Sequence, residues 1–481
     1  MGQPTIEESQ AISVKRAQVE FHNFASLGEP ERAIEDYAQD NIKRGSLIRN
    51  HLKFVGAVTP FLEIGANAGH TSYLLANEFG AGGFALDISA DALRHGMFLM
   101  DHWGLTRTPV RMAGDALNLP FRDGSLRFVM TFQTLSQFLD MDAVFREAKR
   151  VLAPGGVFLF GDEPIKRLLT LRLYRCPYYE KMKPWERWLC DRGLLGFVVK
   201  DVIGADQEES FGIRQNHRNG LKDWQRLIER HFSEKEYEIF LPQRGWAERK
   251  IVTWGRRFDR HGSDWVPARL LGGTLAAFCK KEGTADARSE PFERFEEYLR
   301  CPDCLSGLGR DAHDALRCAQ CGYEAANEGG VYNLIRSEER KELYPGDRED
   351  LIDFTLPGHV SKLGEGWYDI EGVFGNKYRW IGARATATLK RVKAGRQKLR
   401  LRGFAHDGAF ARGEPVRVEV ALNGNPAGAW TLDRSGLFLL EVPVPESPVY
   451  SVEIKASPLW TAPPDDRVFS VNVSMIRLVD A

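Results

Sequence analysis

At 481 residues the chain exceeds what one hydrophobic core organises, and at ~100–200 residues per domain it calls for two to four domains. A hydrophobic content of 43% supports packed domains, while 65 basic against 66 acidic side chains leave a formal net charge of -1. That balance excludes recruitment of nucleic acid or anionic membrane by a global field, so any such partner has to be met by a local patch.

Residues 1–54 read as an N-terminal helical segment. The start "MGQPTIEESQ" lacks the basic cap and apolar core of a secretory signal, and no later run approaches the ~20 apolar residues that cross a bilayer. A cytoplasmic location is expected.

From about Val55, short apolar runs alternate with amphipathic segments: "FLEIGA", "GFALDIS", "PVRMAGDA", "LRFVMTF", "DAVFREAKRVLAPGG" and "VFLFGDE". This is the pattern of βαβ units around a parallel sheet and sets an α/β domain over 55–282. A helical insertion is expected over 165–243, rich in aromatic and basic residues. After it, "ERKIVTWG" and "GGTLAAFCKK" read as two closing strands, the last one antiparallel at the sheet edge.

The turn after the first strand reads "LEIGANAG", which is not the G-x-G-x-x-G of a dinucleotide loop. Small residues there let backbone N–H groups approach a ligand, and Asn67 stands where glycine is more usual, tolerating the left-handed conformation. Asp87 closes the second strand, where a carboxylate can accept ribose hydroxyls, and Asp115 closes the third, facing an amino group.

The series "LEIGANAG", "ALDIS", "GDALNLPFRDGSL" and "REAKRVLAPGGVFLF" resembles the class I S-adenosylmethionine-dependent methyltransferases, which have a Rossmann-like fold. The resemblance implies that Glu63, Gly65 and Gly69 hold the methionine part of the cofactor, Asp87 the ribose and Asp115 the adenine, with Asn67, Ile88 and Ala116 beside them. The chain departs from that family at Leu126-Arg127, where an Asp is common, and at "TLSQF", where a His is common; both departures concern the acceptor. Methyl transfer needs a base only for an acceptor protonated at neutral pH. The candidates are His217, in a polar turn of the insertion, and Glu163, at the end of the fifth strand.

Cys301, Cys304, Cys318 and Cys321 form two C-x2-C knuckles, the arrangement in which four thiolates close a tetrahedral structural zinc site. The module over 298–336 resembles the small zinc ribbons that activate tRNA and protein methyltransferases. It is expected to stand apart from the first domain, so that its loss leaves cofactor binding in place. A connector follows over 337–358.

From 359 to 481 the alternation has period two, as in "VRVEVALNG" and "YSVEIKAS", and predicts an all-β sandwich. It resembles β-sandwich domains beside enzymes of surface-polysaccharide biosynthesis, through Trp367, Glu371, Trp380, Asp466 and Arg467. The basic run from Leu389 to Arg402 reads as a solvated strand edge or as a phosphate contact.

The multidomain whole is expected to methylate a saccharide, glycan precursor or related small metabolite at O or N. RNA is the second expected acceptor, and a cofactor-binding scaffold without turnover is the third reading. Peripheral membrane contact through the insertion is a further expectation.

Overall fold

The computed structural model describes residues 30–138, 140–166, 219–241, 246–259, 264–284, 292–344, 346, 348–354, 356–373 and 376–480, with the single positions 15, 19, 184 and 188. The chain falls into two compact units, one of Met1–Phe21 with Ile34–Glu339 and one of His22–Ala33 with Arg340–Ala481. No described helix is long and apolar enough to cross a membrane.

In the first unit, helix α1 (Pro30–Asn50) and the short α2 (Leu52–Val55) lead into β1 (Phe61–Ile64), α3 (His70–Glu78), β2 (Gly83–Asp87), α4 (Ala90–Trp103), β3 (Val110–Ala113), β4 (Leu126–Phe132), α5 (Met141–Val151) and β5 (Leu152–Ile165). Every residue of β1 and β2 is buried, as expected of parallel strands covered on both faces. Then come α6 (Leu221–His231), β6 (Glu234–Phe240), α7 (Trp246–Arg257), α8 (Trp265–Leu271) and β7 (Gly273–Lys280).

Three sequence expectations are corrected here. Most of the insertion lies outside the described residues, but its last part is not a helical excursion: β6 pairs antiparallel with β7 and forms the outer strand. Strand β7 is antiparallel, as expected, yet it sits between β5 and β6, not at the edge. The run "ERKIVTWG" is part of helix α7. Its Ile-Val-Thr cluster imitates a strand, but the buried positions are Glu248, Val252 and Gly255, a helical stripe. A Cβ on Gly255 would lie 2.9 Å from the ring of Pro267, so glycine is what lets α7 pack closely on α8.

The cysteine module carries the short strands β8 (Gly309–Arg310), β9 (Leu316–Arg317), β10 (Glu324–Ala325), β11 (Asn327–Glu328) and β12 (Val331–Asn333). β12 pairs parallel with β3, Tyr332 opposite Met112, which makes one sheet ordered β11-β12-β3-β2-β1-β4-β5-β7-β6. The module is therefore built into the edge of the α/β sheet and does not stand apart from it.

In the second unit, the connector expected over 337–358 contributes β13 (Leu351–Asp353), which pairs with the last strand (Asn472–Asp480). The sandwich thus begins before residue 359. Its strands alternate cleanly: Val449–Ser457 reads exposed, buried, exposed, buried for most of its length. Asn423 and Gly424 both have positive φ, 50° and 80°, the two-residue hairpin turn that "NG" between alternating runs predicts.

The basic run is answered by acids of its own unit. Arg400 lies 2.6 Å from Glu441, Lys390 3.1 Å from Glu349 and Lys393 3.5 Å from Glu342. Trp380 is 8% exposed and donates to Glu371, and His406 stacks on Trp460 at 4.8 Å. These side chains are committed to one another, which is packing and not a presented stacking face.

Candidate functional site

The turn after β1 has the backbone that its spelling predicts: φ is 68° at Gly65, 52° at Asn67 and 79° at Gly69. Gly65 is required for a second reason, because a Cβ there would lie 2.5 Å from the Thr134 side chain. On the other side, Gly96 of α4 allows close approach, since a Cβ would meet the Ala68 carbonyl oxygen at 2.4 Å. The turn is thus held between the loop after β4 and helix α4, with no room for larger residues at either contact.

Asp87 is 2% exposed. Its Oδ2 accepts from Asn67 N at 2.8 Å and its Oδ1 from Ser89 N at 2.9 Å. Each carboxylate oxygen keeps a further lone pair, so Asp87 can fix the turn and accept from a diol together. Ile88, half-buried, follows it. Glu63 is enclosed and accepts from Ser72 N at 2.8 Å and Ser72 Oγ at 2.6 Å. Burial pushes its carboxyl up to about 7. As placed, it ties β1 to α3 and does not open onto the turn.

Asp115 Oδ1 accepts from Leu117 N at 2.9 Å, and Oδ2 pairs with Lys15 Nζ at 2.7 Å. Lys15 also reaches both oxygens of Glu339 at 3.0 Å. The carboxylate assigned to adenine is therefore shared with an ammonium of the N-terminal segment. Ala116, beside it, is buried.

Helix α1 supplies a group that sequence reading missed. Arg44, 5% exposed, donates from Nη1 to His70 Nε2 at 2.7 Å and to Thr71 Oγ1 at 2.8 Å, and from Nη2 to Asp40 at 3.3 Å. Its Nε lies 3.6 Å from Asp162, and the guanidinium stands 4.4 Å from the Phe132 ring centroid. An arginine only donates, so His70 accepts at Nε2 and carries its proton on Nδ1. Burial and the Arg44 charge hold His70 well below the usual imidazole range, and its ring stacks on Tyr37 at 4.3 Å. The signal was present in the sequence: Arg44 shares a helical stripe with Ile34, Leu47 and Ile48, all buried, and a charge on such a stripe calls for partners.

Gln133, just after β4, and Asp162, near the end of β5, both adopt left-handed backbone, with φ of 53° and 57°. Glu163 is fully buried. It accepts from the backbone N–H groups of Thr134, Leu135 and Ser136 at 2.9, 2.8 and 3.1 Å. Burial pushes its carboxyl up to about 7, against the pull of those donors. With both oxygens occupied in the interior, Glu163 is a positioning residue for the loop after β4, not the exposed base expected from its sequence position. His217 lies outside the described residues.

The four cysteine Sγ atoms lie within 4.8 Å of one another, with Cys301 to Cys321 at 3.5 Å and Cys304 to Cys318 at 3.4 Å. Thiolates around a tetrahedral zinc, at Zn–S of about 2.3 Å, stand about 3.8 Å apart; the donor set fits that ion. Tyr323 Oη donates to the carbonyl oxygens of Asn333 and Ile335, and Leu334 N donates to Ala113 O at 2.8 Å. The cluster is thereby linked to the end of β3, one residue before the Gly114-Asp115 pair.

A family model described as "Methyltransferase domain" matches residues 62–160. Malonyl-(acyl-carrier protein) O-methyltransferase of Geobacter sulfurreducens is 36% identical over 164 residues, covering 33% of this chain and 57% of that protein. Norajmaline N-methyltransferase of Rauvolfia serpentina is 29% identical over 221 residues, covering 42% of this chain and 70% of its own length. Among solved structures, a phosphoethanolamine N-methyltransferase of Haemonchus contortus with S-adenosyl-L-methionine aligns at 17% identity and TM-score 0.33, covering 55% of this chain and 60% of that one. The chain spans a little over half of the Geobacter relative, 57%.

Proposed function

We propose that this chain, which carries a class I S-adenosylmethionine-dependent methyltransferase domain, methylates a small molecule at oxygen or nitrogen. One observation carries the reading: the matched segment 62–160 contains the left-handed turn at 65–69 and, bonded to its Asn67 N–H, the buried Asp87 carboxylate. The residues fit the cofactor. The turn has no room for a Cβ at Gly65, Asp87 keeps lone pairs for a ribose diol, and Asp115 stands at the end of β3 for an amino group.

When bound, the cofactor supplies an electrophilic methyl on a sulfonium. The chain supplies alignment. Asp87, Glu63 and the glycines hold the turn, Arg44 braces the start of α3 against α1, and Glu163 holds the Thr134–Ser136 amides so that the loop after β4 is rigid where the acceptor enters. The acceptor side is at the carboxyl ends of β4 and β5, as in open α/β sheets generally. Cys301, Cys304, Cys318 and Cys321 would hold a zinc ion with no position left for water, which would give it a structural role. A saccharide acceptor rests on resemblance alone and gains nothing from the aromatic residues of the sandwich.

The test is to incubate the purified chain with methyl-labelled cofactor and separated fractions of small metabolites, glycans and RNA. Label in the small-molecule fraction is expected. Label confined to RNA, or none in any fraction from protein that binds S-adenosylhomocysteine, would overturn the reading.

A further inference from the structure

At the opposite end of the sheet from the glycine turn, a cleft of about 740 Å³ opens between the amino ends of β1 and β4 and the cysteine module. Arg122, Arg127, Arg294 and Arg310 line it, with Glu296 and Glu297. The acids are already used. Arg294 lies 2.9 Å from Glu297 and 3.7 Å from Glu296, and Arg310 lies 3.8 Å from Glu296 and 3.6 Å from Asp314.

Among the described residues, two of the lining guanidinium groups have no ion pair with an acid. Arg122 donates from Nε to the Leu299 carbonyl at 3.1 Å, and its Nη2 lies where a Cβ on Gly307 would approach to 2.7 Å. Arg127 is half-buried and makes no side-chain hydrogen bond or ion pair among the described residues. Behind them, Arg150 and Arg300 share Asp123 and Glu147, with Arg150 at 2.7 Å from each and Arg300 at 3.6 and 3.8 Å. Those acids are therefore not spare. Arg122 is exposed and Arg127 half-buried; a guanidinium taken partly out of water without a counter-charge, as at Arg127, is costly, and the planar fork of either matches two oxygens of a phosphate group.

We propose that this cleft is a second ligand site, taking a small phosphate-bearing anion between Arg122 and Arg127. The volume falls within the ~300–1,000 Å³ of small-molecule sites. A nucleic-acid surface would need a continuous basic stripe, whereas here Glu296 and Glu297 interrupt the lining. The ligand is not the methyl acceptor. Strand β4 has seven residues, which at ~3.3 Å each place the cleft about 20 Å from the ends of β4 and β5. The anion would sit beside the amino end of β4, where the cysteine module lines the same cleft through Leu308, Gly309 and Arg310.

The test uses the full chain in calorimetry at low salt, with sodium pyrophosphate, inorganic phosphate and a single-stranded RNA oligonucleotide as separate probes. One pyrophosphate per chain is expected, bound more tightly than phosphate. Arg127→Gln and Arg122→Gln should each weaken it at least roughly tenfold, the scale of one hydrogen-bonded charge pair. Glu297→Gln, which removes a competing acid, should tighten it. Affinity for S-adenosylhomocysteine should stay within about twofold in all three, which reports the fold and keeps this test separate from the methyltransferase reading. Saturation absent up to roughly 10 mM, or equal pyrophosphate affinity in the arginine variants, would overturn the site. RNA binding tighter than pyrophosphate and lost in Arg127→Gln would assign the cleft to nucleic acid and overturn the small-ligand proposal.

Discussion

Asp87→Ala separates the two duties of the carboxylate between β2 and α4. The variant loses two hydrogen bonds, from Asn67 N at 2.8 Å and Ser89 N at 2.9 Å, to a side chain that is 2% exposed. Each bond to a charged group is worth about 1.5–3 kcal/mol, so stability should fall by about 3 kcal/mol or more, part of which water in the vacated site restores. A domain with ~5–15 kcal/mol in hand stays folded. Each ribose hydroxyl bonded to Asp87 carries a similar worth, so S-adenosylhomocysteine should bind roughly 10- to 150-fold more weakly per bond lost. Calorimetry gives the affinity and urea unfolding the stability. Asp87→Asn, which keeps one acceptor oxygen, should fall between alanine and the wild type on both measures. A folded Asp87→Ala protein that binds S-adenosylhomocysteine like the wild type would confine the carboxylate to shaping the turn and refute its cofactor role.

Elemental analysis should find one zinc per chain. Cys318→Ser should lose it and, because β12 is bonded to β3, weaken S-adenosylhomocysteine binding by about 1 kcal/mol for each ladder bond that loosens beside Asp115; unchanged affinity would restore the picture of an independent module. Glu163→Gln should speed amide exchange at Thr134, Leu135 and Ser136 and slow methyl transfer, with cofactor affinity within about twofold; undiminished protection of those amides would remove Glu163 from its positioning role. Glu63 is held at about 7 by burial, above the ordinary 4.5, so the folded state keeps a proton that the unfolded chain releases. This contribution to stability is complete below the unfolded value, declines as pH rises and is gone above about 7, at most ~3 kcal/mol by linkage. Glu63→Gln should therefore flatten the decline between about pH 5 and 7, and an unaltered pH slope would count against the buried protonated form.

Some of this was decided by short stretches of chain. The left-handed φ at Gly65, Asn67 and Gly69 follows from residues that tolerate it, within one turn. The cysteine cluster follows from two equal knuckles, and the sandwich from period-two burial punctuated by Asn423-Gly424. In each case the determining interactions lie within a few residues, so the local spelling carries the local geometry.

What needed the tertiary structure is pairing between distant segments. β12 joins β3 across more than two hundred residues of chain, and nothing in "VYN" names its partner. α7 was misread because its run of β-branched residues fits either element until its neighbours fix which face is buried, and β6 because its charged alternation, "EKEYEIF", names no strand partner. Arg44 became part of the site only when α1 was laid against α3. Glu163, which by sequence position reads as a base, is enclosed by three amides from the loop after the neighbouring strand. Burial and partner choice are properties of the packed assembly, and for a charged side chain they decide between a group that reacts and a group that holds another in place.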